Sequence, residues 1–221
     1  MLEDTFKHKR WRTEMVRLMG EKGIDSKTVL DALLEVPRHL FLETMLDYMA
    51  YEDKALPISC GQTISQPSTV AFQSQLLEAS AGMKVLEVGT GSGYQTAVLC
   101  AMDLKVFTIE RQKKLYDETC GRLTALGYKA KTFLGDGYAG LPEFAPFDRV
   151  LVTCGAPQIP AALLSQMKVG GIMVVPVGGE HQEMLRIEKR GTGEEDVVIQ
   201  KFGDCKFVPM LEKLSYGKGK G

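Results

Sequence analysis

The sequence predicts an α/β protein: a mostly parallel sheet with helices on both faces, a C-terminal antiparallel strand pair and an N-terminal helical extension. Three observations carry this. From Lys84 onward, short apolar strands alternate with helical segments, the pattern of a covered parallel sheet. One strand runs straight into a glycine-rich turn, Val85-Leu86-Glu87-Val88-Gly89-Thr90-Gly91-Ser92-Gly93-Tyr94, with a helix after it. Beyond Gly178-Gly179 the order becomes strand after strand, and Gly191 and Gly193 turn that pair into a hairpin.

The elements follow in order. Residues 1–80 read as mostly helical. Asp25 and Ser26 offer an N-cap, Val29, Leu30, Leu33 and Leu34 recur on one helical face, and Pro37 closes the run. The stretch 56–67 holds Pro57, Gly61 and Pro67 without a helical period and reads as an ordered loop, followed by a helix over 68–79. Parallel strands are expected over 84–88, 105–109, 129–134, 149–153 and 171–177, with helices over 93–102, 111–126 and 160–167. The hairpin takes 183–189 and 196–202, and the tail Lys218-Gly219-Lys220-Gly221 is expected to be mobile. The helical segment 1–80 and the core 81–221 are expected to form one integrated domain.

Composition narrows the function. With 221 residues, 44% hydrophobic and 25% charged, the chain can bury a sizeable core without staples and is not largely disordered. A net charge of −1 excludes a strongly basic nucleic-acid footprint, and the basic run of Lys7, His8, Lys9, Arg10, Arg12 and Arg17 reads as a solvated helix face. Five scattered cysteines form no CxxC, and His39 and His181 lie too far apart to suggest a metal pair, so no metal is expected. The charged N-terminus lacks a signal peptide's apolar segment, and the longest clean apolar run, Ile172 to Val177, is far short of the ~20 residues of a membrane span. A cytoplasmic monomer with reduced thiols, without nucleic-acid or membrane partners, is expected.

The glycine turn is a ligand-cradling device, because glycine lets backbone approach a ligand closely. A dinucleotide GxGxxG fingerprint needs its third glycine at position 94, where Tyr94 stands. The actual GxGxG, with Glu87 two residues ahead of it, resembles motif I of the class I S-adenosylmethionine-dependent methyltransferases. Glu110 ends the second strand, 21 residues after Gly89, where a carboxylate can accept both ribose hydroxyls. Asp136, in Gly135-Asp136-Gly137 at the third strand end, is placed to accept an adenine amino group. Taken alone, the glycine cluster is a tight turn and Glu110 a solvated acid at a helix start; the order and spacing of the set favour a cofactor pocket.

A more specific resemblance lies upstream. Tyr51 to Ile58, followed by Gly61-Gln62-Thr63-Ile64-Ser65-Gln66-Pro67, is similar to the loop that precedes motif I in protein-L-isoaspartate O-methyltransferases. Ser92 to Ala97, Pro37-Arg38 with Phe41, Ala145-Pro146-Phe147-Asp148, Pro176-Val177-Gly178, His181-Gln182 and Phe207-Val208-Pro209 extend the resemblance over roughly residues 25–211. It implies a Rossmann-like class I methyltransferase fold and methyl esterification of the free carboxylate of L-isoaspartyl residues in damaged proteins and peptides. S-adenosyl-L-methionine is the donor it implies, and S-adenosyl-L-homocysteine the product. The ester then collapses to a succinimide, whose hydrolysis returns some normal aspartate. The resemblance puts the active-site serine on Ser65 and the cofactor contacts on Thr63, Ser65, Glu87, Gly89, Thr90, Gly91, Gly93, Glu110, Arg111, Asp136 and Gly137. Substrate contacts fall on Ala55, Leu56, Pro57, Ile58, Val208 and Pro209. Ser68 and Thr69 depart from the large residue and methionine usual in the bacterial members, which reshapes part of the cofactor or substrate wall, and Ser59-Cys60 replaces the usual glycine-led pair.

The residues themselves leave alternatives. Ser65, just before Gln66-Pro67, is also a natural cap for the following helix, a role compatible with a site role. Cys154 follows the fourth strand, where some cytosine methyltransferases keep a nucleophile, but Gly155-Ala156-Pro157 does not match that motif and a buried thiol is the reading. A nicotinamide-dependent oxidoreductase is opposed by Tyr94, while a methyltransferase for RNA or a small molecule, or an idle cofactor-binding homologue, shares the same fold.

Overall fold

The computed structural model describes residues 3–193 and 195–216, so the expectation about residues 218–221 falls outside the described residues. The N-terminal part holds helices α1 (Phe6–Glu21) and α2 (Lys27–Glu35), then two 3-10 turns, Arg38–Phe41 and Thr44–Met49. The loop before the core carries two short strands, β1 (Leu56–Pro57) and β2 (Thr63–Ile64), and leads into α3 (Pro67–Leu76). The core then alternates: β3 (Lys84–Val88), α4 (Tyr94–Ala101), β4 (Lys105–Glu110), α5 (Lys113–Ala125), β5 (Lys131–Leu134), β6 (Phe147–Val152), α6 (Ala161–Ser165) and β7 (Met167–Gly178). The hairpin β8 (Gln182–Lys189) and β9 (Val197–Cys205) closes the chain's regular structure.

The seven-stranded sheet has the order β5-β4-β3-β6-β7-β8-β9. Strands β3 to β7 pair in parallel, and β8 and β9 are antiparallel. The chain builds outward from β3 to β4 and β5, then returns to set β6 on the other flank of β3. That reversal opens a crevice beyond the carboxyl ends of β3 and β6, the place where such sheets bind ligands.

Strand alternation explains the apolar runs. Val85, Val106, Leu151 and Ile172 face one core layer, while Leu86, Phe107, Val152 and Met173 face the other, and all eight are buried. The first layer also contains Met15, Val29, Leu33, Phe41 and Leu77, packed with Tyr94 and Val98 of the core. The second is rich in rings: Phe107 lies edge-on to Phe147 at 5.7 Å between centroids, and Phe133 sits 4.9 Å from Phe144. Among the described residues, no helix is long and apolar enough to cross a membrane.

Several local expectations change. Ser26 does stand at the N-cap of α2, but its side chain makes no cap bond. The amides of Asp25 and Ser26 donate instead to Gln75 Oε1 of α3, at 2.9 and 3.0 Å, so the helix start is satisfied from a neighbour. The stretch 56–67 is a miniature hairpin, with Leu56 opposite Ile64 and Pro57 opposite Thr63. Two-residue strands are too short to show a period. Within the segment expected to be mostly helical, Arg38–Phe41 and Thr44–Met49 form 3-10 turns. Strand β7 begins at Met167, four residues before the expected 171, with a register shift opposite Phe147 and Arg149.

Candidate active site

The turn after β3 is held from three sides. A side chain at Gly89 would meet Thr153 Oγ1 at 2.4 Å, and one at Gly93 would meet the Thr119 methyl at 2.8 Å, and both glycines have positive φ. Thr153 donates to the Gly89 carbonyl at 2.6 Å, Thr119 to the Gly91 carbonyl at 2.7 Å, and Arg122 to the Ser92 carbonyl at 2.9 Å. The fourth hold comes from β4. The Glu110 carboxylate accepts the Gly91 amide at 3.0 Å with one oxygen and the Gln112 amide at 2.9 Å with the other. Thr90 and Thr108 hydroxyls meet at 2.7 Å. The turn is thereby rigid before any ligand arrives, which lowers the ordering cost of binding.

The resulting cleft is lined by Thr63 and Ser65 from the β2 loop and by Gly89, Thr90 and Gly91 from the turn. Glu110, Arg111 and Gly137 also line it, as do Val208 and Pro209. Ten of the residues predicted from sequence therefore share one cleft. Its lining mixes apolar walls (Val88, Ile109, Met210) with hydroxyl and carboxylate groups. That suits an amphipathic ligand such as a nucleoside carrying an amino-acid chain.

Other predicted residues lie elsewhere. Glu87 is a correction: it is fully buried, away from the cleft wall. Strand period two is the reason, since Val88 lines the cleft and its neighbour faces the opposite side. Burial pushes the Glu87 carboxyl up to about 8, so it is protonated at neutral pH; Thr96 donates to it at 2.5 Å from α4. Gly93 caps α4 against Thr119 and is not on the wall. Asp136 is not on the wall either, since its oxygens accept the amides of Tyr138 at 2.9 Å and Lys213 at 3.0 Å. Ala55, Leu56 and Pro57 are not on the cleft wall, Leu56 being buried and the other two exposed, while an Ile58 methyl comes within 3.9 Å of where a Gly91 side chain would begin. Ser68 and Thr69, expected to alter this wall, line a separate cavity. Ser65 does not cap α3, whose N-cap is Gln66; the Ser68 amide donates to Asp53 at 2.8 Å instead.

Sequence reasoning missed several contributors. Met210 and Leu211 complete the far wall. Their segment is sewn down by Gly155 N–H to Val208 O and Met210 N–H to Gly155 O, each 2.8 Å, and by Arg111 Nε to Lys213 O at 2.9 Å. An apolar pair just past the last strand was the available signal. Cys154 also lines the cleft, and burial pushes its thiol up to about 12, so no thiolate is present.

Away from the cleft, Asp4, His8 and His39 bring three donor atoms within 4.8 Å of one another. Asp4 and His8 are already engaged, and His39 Nδ1 meets the Tyr51 hydroxyl at 2.8 Å, while His39 Nε2 has no hydrogen-bond partner. Both terminal nitrogens of Arg12 grip Asp4, at 3.1 and 3.0 Å, and His8 Nδ1 accepts the Thr5 amide at 3.2 Å. The His8 ring stacks on His39 at 3.8 Å and turns Nε2 to Asp47 at 3.0 Å. This network locks α1 onto the 3-10 turns.

A parallel sheet with this reversal point, a glycine turn after its central strand and an acid from the next strand on the turn's amides define a class I S-adenosylmethionine-dependent methyltransferase. Within that class, the chain belongs to the protein-L-isoaspartate(D-aspartate) O-methyltransferase family, whose model matches residues 10–215. It is 51% identical to the protein-L-isoaspartate O-methyltransferase of Christiangramia forsetii over 96% of this chain and 99% of that relative. The enzyme of the same name from Flavobacterium psychrophilum gives the same figures. A solved protein-L-isoaspartate O-methyltransferase superposes with a TM-score of 0.84 at 28% identity, covering 92% of this chain and 67% of that one. The fold also matches a Plasmodium falciparum protein solved with S-adenosyl-L-homocysteine, with a TM-score of 0.78 at 23% identity and 92% and 98% coverage.

Proposed function

We infer that the chain methylates the free carboxylate of L-isoaspartyl residues in damaged proteins and peptides. S-adenosyl-L-methionine, bound in the cleft, supplies a methyl group activated by its sulfonium. Glu110 is the residue assigned to the ribose hydroxyls: its carboxylate lines the cleft while its amide bonds fix its direction. Thr90, Gly91, Arg111 and Gly137 complete the cofactor side, and Thr63 and Ser65 close it toward the substrate.

The acceptor needs no base. A carboxylate with an ordinary pKa near 4 is already ionised at neutral pH. The cleft fits that demand, since among the described residues its lining holds no histidine and its one thiol is protonated. What remains is alignment and exclusion of water. The Ser65 hydroxyl donates a hydrogen bond that orients the carboxylate, and Val208 and Pro209 face it as the peptide's resting wall. In the ester product, the neighbouring backbone amide nitrogen attacks the ester carbonyl, methanol leaves, and a succinimide forms. Water opens that ring in either of two directions, one of which restores aspartate.

The placement of Ser65 and Glu110 in one cleft carries this reading. Segments 1–80 and 81–221 act as one unit, because the first supplies Ser65 and the second the glycine turn. The free cysteines among the described residues support a reducing, cytoplasmic setting. The test is methyl transfer from labelled donor to two matched peptides, one isoaspartyl and one aspartyl. Alkali-labile label on the isoaspartyl peptide alone is expected; equal label on both, or alkali-stable label, overturns the assignment.

A further inference from the structure

A second cavity, of about 420 Å³, opens beside the cleft. The two share walls at two points: Ser65 lines the cleft and Gln66 the cavity, and Val208 lines the cleft and Phe207 the cavity. An extended peptide advances about 3.3 Å per residue, so a chain resting between Ser65 and Val208 reaches the cavity within one or two residues.

The cavity is lined in equal parts by apolar and polar residues, the apolar ones on a fixed frame. Ile24 and Met184 are buried in its floor, and Phe72 and Phe202 meet edge to face at 5.9 Å. The first turn of α3 is pinned by Ser68 N–H to Asp53 at 2.8 Å, and Gln66 Nε2 donates to Ser68 Oγ at 2.8 Å. Lys22 pairs with Asp53 from α1's end, and that ammonium and the Ser68 amide outweigh the burial that would raise the Asp53 carboxyl. The space exists because Ser68 and Thr69 carry small side chains where the helix faces it. Exposed Asp204 and Lys206 line it with opposite signs, and Lys22, also on its wall, is paired with Asp53.

We propose that this cavity receives the side chain of a substrate residue one or two places from the isoaspartate, and selects a large apolar or aromatic one. The proposal rests on the isoaspartyl reading of the cleft. It makes the chain's choice among damaged sites depend on what flanks them, with Ser68 and Phe202 as the residues that set the choice.

The experiment is a set of matched isoaspartyl peptides carrying Phe or Gly at each position from two before to two after the isoaspartate. At one position, kcat/KM is expected to favour Phe by about tenfold or more. Ser68→Tyr fills the cavity and should bring that ratio to about one. Phe202→Ala, on the exposed edge strand, should lower it partway, and it carries the test if the bulkier variant does not fold. Calorimetric binding of S-adenosyl-L-homocysteine establishes that each variant is folded. A ratio near one at every position in the unaltered protein, or a preserved ratio in folded Ser68→Tyr, overturns the proposal while leaving isoaspartyl methylation intact. Absence of transfer to every isoaspartyl peptide overturns both.

Discussion

The Arg38 guanidinium donates to the Ser65 backbone carbonyl at 2.8 Å and to the Ala50 carbonyl at 2.8 Å, while lying 4.7 Å from the centroid of the Tyr94 ring. One fully buried cation thus joins the N-terminal turns, the Ser65 loop and the helix that follows the glycine turn. Burial lowers its pKa to about 10, which leaves it charged at neutral pH.

Arg38→Lys keeps the charge and loses the planar fork that reaches two carbonyls and stacks on a ring. A buried carbonyl left unpaired costs about 1–3 kcal/mol. The variant should melt several degrees lower and lose about tenfold in kcat/KM as Ser65 loosens. Thermal melts and initial rates check this; unchanged rates in a destabilised variant mean that Arg38 serves the fold alone.

Ser65→Ala removes one hydrogen bond to a charged acceptor, about 1.5–3 kcal/mol, or roughly 10- to 100-fold in kcat/KM. Its backbone bond to Arg38 stays, so the melting temperature should hold. Binding of S-adenosyl-L-homocysteine, followed by calorimetry, should weaken much less than the rate falls.

Glu110→Gln tests the cofactor side. The side-chain amide has one acceptor oxygen where the carboxylate uses two, so either the Gly91 or the Gln112 amide loses its partner. Affinity for S-adenosyl-L-homocysteine should fall by about tenfold or more, the equivalent of about 1.4 kcal/mol. Unchanged affinity would remove Glu110 from the ribose.

Glu87 makes stability depend on pH. Its folded pKa, about 8, lies above the ordinary 4.5, so the native state keeps a proton that the unfolded chain releases between those values. Its contribution is fully present below about pH 4.5 and is lost as pH rises to about 8. Glu87→Gln holds the neutral form throughout. The variant's melting temperature relative to the parent should therefore climb from pH 5 to pH 8; a constant difference shows an ionised Glu87.

The parallel core was legible because its central strands β3, β4 and β6 are largely buried on both faces and read as apolar runs; the expected strand over 84–88 matches Lys84–Val88 residue for residue. The cleft was legible where it is made of chain order, as with the glycine turn and Glu110 at the end of β4. It was not legible where it depends on which way a side chain points. Spacing placed Glu87 next to the turn, and the strand's pleat turned it into the core. Asp136 sits at the expected strand end, but a residue 77 positions away claims one of its oxygens. Met210 and Leu211 reach the cleft only because bonds to Gly155 and Arg111 fold the last segment back. Arg38 was noticed as a family marker, and its reach to Ser65, 27 positions on, is a fact of the tertiary structure.

The central claim is that the Ser65 cleft esterifies isoaspartyl carboxylates. The most direct measurement incubates an isoaspartyl peptide with donor and enzyme, and follows its conversion to the aspartyl peptide by chromatography over repeated methylation cycles. The account predicts accumulation of aspartyl peptide through a succinimide, with Ser65→Ala slower by about the 10- to 100-fold given above. A stable methylated product with no succinimide, or conversion at the same rate in Ser65→Ala, would contradict it.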